Sequence, residues 1–178
     1  AARHEALQLV GEYVRHYSLV PQPSILAAEY FVEGEVGGIR KTARLDRIVR
    51  WAGEREAWIR EDKTTSAPLW MARQYYLTHP QIVLQQALWG REQVEKFGPL
   101  AGTILNLIGK RRPYQFERTE ILPVSPLMLS WFGAYTARIT RRAEELRAGA
   151  APERNPLSCV RLAGGVQIAC PFIADCYA

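Results

Sequence analysis

Apolar positions in the first 17 residues recur at spacings of three and four: Ala6, Leu7, Leu9, Val10, Tyr13, Val14 and Tyr17. That is a helical period, and it predicts an amphipathic helix over residues 2–17. Pro21 and Pro23 end it. The run ILAAEYFVE over 25–33 predicts a strand, and Gly34, Gly37 and Gly38 supply the turn after it. Thr42–Trp51 and Ala57–Thr64 then read as two strands joined through Ala52-Gly53-Glu54-Arg55-Glu56. Ala43, Leu45, Ile48 and Val49 stud the first of these, and Trp58 and Ile59 the second. Leu69–Pro80 predicts a short helix with a connector. Pro80 opens a strong helix that runs to Phe97. Residues 101–109 predict a buried strand, and the alternation of Phe116–Leu122 predicts another at a sheet edge. Ser125-Pro126 starts a long helix to about Ala148, with Gly149 as its stop. The tail from residue 151 shows no regular pattern. Strands interleaved with helices predict an α/β fold with a central mixed sheet of about four or five strands flanked by helices. Residues 1–150 form its core, and 151–178 form an irregular tail of the same domain.

Composition changes this picture little. The 178 residues are 48% hydrophobic and 23% charged, which suits a globular domain and excludes disorder. The formal net charge is +5 and the pI ≈ 9.3, so a polyanionic partner is favoured. No apolar run reaches the length of a membrane span and no signal peptide is visible, so a cytoplasmic protein is expected. The chain starts at Ala1 without Met and reads as a fragment or a processed form.

The chemistry concentrates in Thr42–Ser66. Asp46 sits in the middle of one predicted strand, and Glu61, Asp62 and Lys63 close the other. Adjacent strands lie about 5 Å apart, so Asp46 and Glu61 can face one another and share a divalent cation. Both are hard oxygen ligands suited to Mg²⁺ or Mn²⁺. The strand period of two puts Lys63 on the face of Glu61 and turns Asp62 away. Elsewhere, Tyr75 and Tyr76 interleave with Arg73 and Gln74, a pattern that fits base stacking or plain core packing. Lys110, Arg111 and Arg112 form the densest basic cluster, either a solvated face or a set of phosphate contacts. Glu29 stands among apolar neighbours, where a carboxylate needs a partner.

RLDRI (Arg44–Ile48) followed by EDKTTS (Glu61–Ser66) resembles the PD-(D/E)xK nucleases, and in particular their RecB-like branch. The resemblance covers nearly the whole chain and implies a restriction-endonuclease-like core. It implies a metal-dependent deoxyribonuclease, an exonuclease acting on single-stranded DNA or duplex ends in repair, recombination or CRISPR and phage DNA processing. His4, in ARHEAL, looks like that branch's metal-ligating His, although the Gly that leads the family motif is absent. The implied ligands are His4, Asp46, Glu61 and the main-chain carbonyl of Asp62. Lys63 positions the attacking water or neutralises charge. Glu29 is implied as an auxiliary acid, with an ion pair to a nearby Arg as the alternative. Gln81 matches the Gln of a Gln-x-x-x-Tyr motif, but Gln85 occupies the Tyr position, so either Gln could serve. Cys159, Cys170 and Cys176 resemble the C-terminal cysteines of iron–sulfur nucleases. The resemblance implies a [4Fe–4S] cluster whose fourth Cys would precede Ala1; packed free thiols are the alternative. DNA is the expected partner, together with recombination or CRISPR-adaptation proteins. A catalytically weak DNA-binding or scaffold subunit is the second reading. A hydrolase of small phosphates is a weaker third, because no Gly-rich phosphate loop is present.

Overall fold

A computed structural model describes residues 2–77, 79–150, 160–163 and 166–169. Helix α1 spans Ala2–Tyr17, as its stripe predicts. Strands β1 (Ser24–Val36), β2 (Ile39–Arg50) and β3 (Ala57–Thr65) follow as an antiparallel meander. Three helices come next: α2 (Leu69–Leu77), α3 (Pro80–Ala87) and α4 (Arg91–Phe97). They carry the chain back so that β4 (Leu100–Gly109) pairs parallel with β3. Strand β5 (Phe116–Ile121) closes the edge antiparallel to β4. The sheet order is β1-β2-β3-β4-β5, a five-stranded mixed sheet flanked by helices. This is the expected α/β arrangement with a central mixed sheet. Helix α5 covers Pro126–Arg147.

Two expectations need correction. The helix expected over Pro80–Phe97 is two helices. Gly90 caps the second one, and the Gln93 side chain reaches back to accept the Gly90 N–H at 3.0 Å. That one-sided cap starts a new helix after Leu88 and Trp89 have turned out of the first. The tail also contains regular structure: β6 (Val160–Ala163) pairs antiparallel with β7 (Val166–Ala169). Cys159, Cys170 and Cys176 lie outside the described residues.

The chain divides into two compact units, Ala1–Ala137 and Arg138–Ala178. In the first, the sheet is covered on both faces. Ile82 of α3 and Leu69 and Ala72 of α2 pack on Leu105 and Leu107 of β4. Val83 joins Leu45, Ile48, Ile59 and Phe132 of α5 in the larger cluster. On the opposite face Tyr13 of α1 reaches Arg60 of β3 and Asn106 of β4. A buried parallel pair such as β3–β4 needs cover on both sides, which explains why Gly102 to Leu107 of β4 are buried without a break. Among the described residues, no helix is long and apolar enough to cross a membrane.

Candidate active site

The β2–β3 ladder is short. It pairs Val49 with Trp58, Ile48 with Ile59 and Arg47 with Arg60. The next position in register would set Asp46 against Glu61, and there the two strands separate. Side chains take over the bonding at this fork. The Asp46 N–H donates to Glu61 Oε1 at 3.4 Å, and the Asp62 N–H donates to Asp46 Oδ2 at 3.1 Å. A strand residue's N–H and C=O point to the same side, so the Asp62 carbonyl shares the direction of the amide that reaches Asp46.

Glu61 is 0% exposed, and its charge is held by nitrogen donors. Lys63 Nζ donates to Oε2 at 2.7 Å and Gln81 Nε2 to the same oxygen at 3.0 Å. Gln85 Nε2 donates to Oε1 at 2.7 Å. Both glutamines come from α3, one turn apart, so both alternatives for the motif Gln meet the same carboxylate. A buried carboxylate is tolerable with this many partners. Burial alone lowers the Lys63 pKa and is the largest single influence on it. The Glu61 hydrogen bond and the charges of Glu61 and Asp46 together outweigh burial, so the ammonium is held above its ordinary range and stays charged at neutral pH.

Asp62 turns to the other face, as the strand period requires. Its carboxylate meets Arg47, Arg60 at 3.3 Å and Asn106 Nδ2 at 2.5 Å. Arg47, Arg60 and Asp62 line an open cleft of ≈ 580 Å³ with Tyr13 and Tyr17. Helix α1 lies over the Asp62 face, while Glu61 projects toward α3. The first turns of α1 instead meet the β4–β5 connection: Tyr114 Oη approaches the Glu5 carbonyl at 3.5 Å, and Arg112 donates to Gln8 Oε1. Among the described residues, no three His, Cys, Asp or Glu side chains stand close enough to share a metal ion, so the expected trio of His4, Asp46 and Glu61 is not formed. The carboxylate of Glu29 pairs with Arg44 at 3.0 Å, the ion-pair alternative. Lys110, Arg111 and Arg112 are exposed after β4. Tyr76 packs against the α2–β4 cluster, whereas Tyr75 is exposed.

No protein-family profile matches the chain, and no curated protein matches it. Several solved structures resemble it, two of them as follows. One is of a protein from Eubacterium rectale that carries the name of an exonuclease. It is 14% identical with a TM-score of 0.47, and the match covers 85% of this chain and 62% of that one. The other is the protein SSO0001, 15% identical with a TM-score of 0.37, covering 86% of this chain and 63% of that one. The chain thus spans less than two thirds of either.

One residue beside the site had no role in the sequence reading. His79 caps α3: its Nδ1 accepts the Gln81 N–H at 3.2 Å, and its Nε2 meets Tyr75 Oη at 3.0 Å. An Nδ1 that accepts requires the proton on Nε2, which then donates to Tyr75. Burial, and then the Lys63 charge, push its pKa below the usual histidine range. The signal in the sequence was a His directly before Pro80, at the cap position of a Pro-initiated helix.

At the fork, two carboxylates, Asp46 and Glu61, face one ammonium, Lys63. The surplus negative charge and the hard oxygen donors fit a divalent cation.

Proposed function

We propose that this chain is a metal-dependent nuclease that hydrolyses phosphodiester bonds in DNA, as an exonuclease on single strands or duplex ends. The observation behind this reading is that Asp46, Glu61 and Lys63 come together where β2 and β3 part. Asp46 and Glu61, with the Asp62 carbonyl, would hold Mg²⁺ or Mn²⁺, which when bound supplies a Lewis acid and an acidified water. Lys63 puts a fixed positive charge beside the acids, where a scissile phosphate gains negative charge on attack. Gln81 and Gln85 hold the Glu61 carboxylate in one orientation, so the site is organised before substrate arrives. The net charge of +5 favours a phosphate backbone. Exposed Tyr75 and the Lys110–Arg112 cluster are the proposed strand contacts. Recombination or CRISPR-adaptation proteins and a [4Fe–4S] cluster on Cys159, Cys170 and Cys176 extend the reading. Broad visible absorbance in anaerobically purified protein is the test of the cluster.

The test of the activity is degradation of labelled single-stranded DNA with Mn²⁺. Wild type should degrade it, and Asp46→Ala and Lys63→Ala should each lose about 10²–10³-fold in kcat. A second reading, a nuclease-like subunit that binds DNA without cutting it, is favoured by one feature: nitrogen donors already occupy both Glu61 oxygens. Binding without cleavage by wild type would select it.

A further inference from the structure

The two strands that frame Asp46 change phase at the same place. In β1 the side chains in the large core cluster are Ala27, Tyr30, Val32 and Val36; in β2 they are Ala43, Leu45 and Ile48. A regular strand presents every second residue to one face. The steps of three from Ala27 to Tyr30 and from Leu45 to Ile48 therefore mark a slip in each strand. The slips face one another, since Ala27 pairs with Ile48 and Tyr30 with Leu45. Between them Ala28 pairs with Arg47, but Glu29 and Asp46, next in register, form no ladder pair. Glu29 has φ 50°, a left-handed conformation that costs a non-glycine residue free energy.

The Glu29 carboxylate does not account for this strain. Its ion pair with Arg44 has side chains 64% and 71% exposed, and a pair so open to water stabilises little. The effect lies across the ladder. The Asp46 N–H reaches Glu61 Oε1 on the β3 side, while the Asp46 carboxylate accepts the Asp62 N–H. We propose that Glu29 is a positioning residue that acts through its backbone. Its left-handed conformation is the β1 half of a paired phase switch that turns Asp46 toward Glu61, and its carboxylate is dispensable. Both strands keep a core face on either side of the switch, with Glu29 and Asp46 at the point of change. The kinetic part of this inference rests on the nuclease reading; the conformational part does not.

Three variants of the full chain test it: Glu29→Gln, Glu29→Gly and Glu29→Val. The readouts are Tm, the Asp46 backbone amide resonance, and kcat and KM on labelled single-stranded DNA with Mn²⁺. Glu29→Gln should match wild type in all of them. Glu29→Gly, free of the left-handed cost, should raise Tm by about 2–4 °C and leave the Asp46 resonance in place. Glu29→Val, whose branched Cβ opposes φ > 0, should shift that resonance and lower kcat about 10²-fold at unchanged KM. The inference is overturned if Glu29→Gln loses activity as Glu29→Val does, or if Glu29→Val keeps the wild-type resonance. Should Glu29→Val not fold, a lowered Tm or a displaced Asp46 resonance in Glu29→Gly overturns it. If wild type cuts no DNA, the nuclease reading has failed, and Tm and the resonance still decide this one.

Discussion

Glu61 offers four lone-pair positions and receives four donors: Lys63, Gln81, Gln85 and the Asp46 amide. Its orientation therefore depends on α3, and the first turn of α3 depends on His79. The neutral imidazole is the form that can cap, because only an unprotonated Nδ1 accepts the Gln81 N–H. Burial and then the Lys63 charge hold the folded-state pKa below the unfolded value of about 6.5. The sign follows from the depressed value. The stability gained from neutral His79 is complete above about pH 6.5 and is lost as pH falls through the lower folded pKa. His79→Asn keeps a capping acceptor and removes the titration. Its Tm should fall less than that of wild type between about pH 7 and pH 5. Equal slopes in scanning calorimetry would show that His79 does not carry this dependence.

Among the elements, the Gly37-Gly38 turn between β1 and β2 separates two effects usually mixed. Both residues have positive φ, 63° and 75°. A side chain at Gly38 would meet open space, but one at Gly37 would run into the Gly133 backbone of α5. Gly38→Ala should cost about 1 kcal/mol, the left-handed penalty alone. Gly37→Ala should cost about 3 kcal/mol, because α5 must also shift. Denaturant midpoints compare the two. The strands and α1 were legible because period two and period 3.6 separate cleanly in Arg44–Arg60 and Ala6–Tyr17. Asp46, Glu61 and Lys63 were legible for the same reason. The break at Gly90 was missed because Val83, Ala87, Val94 and Phe97 keep a helical spacing across it. The signal was Gly90-x-x-Gln93, which reads as a cap once a glycine at that position is allowed. In β6–β7, Gly164-Gly165 between alternating residues was the hairpin signal, passed over because the strands are so short. Periodicity also finds α1 without saying which face of the sheet the helix covers.

On the scale of the whole molecule, β1–β2 pairs along nearly all of Ser24–Val36, and β3–β4 along all of Ala57–Thr65. The join between these two halves is the run Arg47–Val49 against Trp58–Arg60. Asp46 belongs to one panel and Glu61 to the other. Opening energies vary within a fold, and a seam with few backbone bonds sits at the low end. Amides of Arg47–Val49 should therefore exchange with deuterium sooner than those of Thr103–Leu107 in β4, whose pairing with both β3 and β5 runs unbroken through the stretch. Uniform protection across both stretches would show the sheet to be one stiff plate. If the seam yields, the panels hinge about it. The spacing of the two acids can then adjust to what lodges between them while each panel keeps its own bonds.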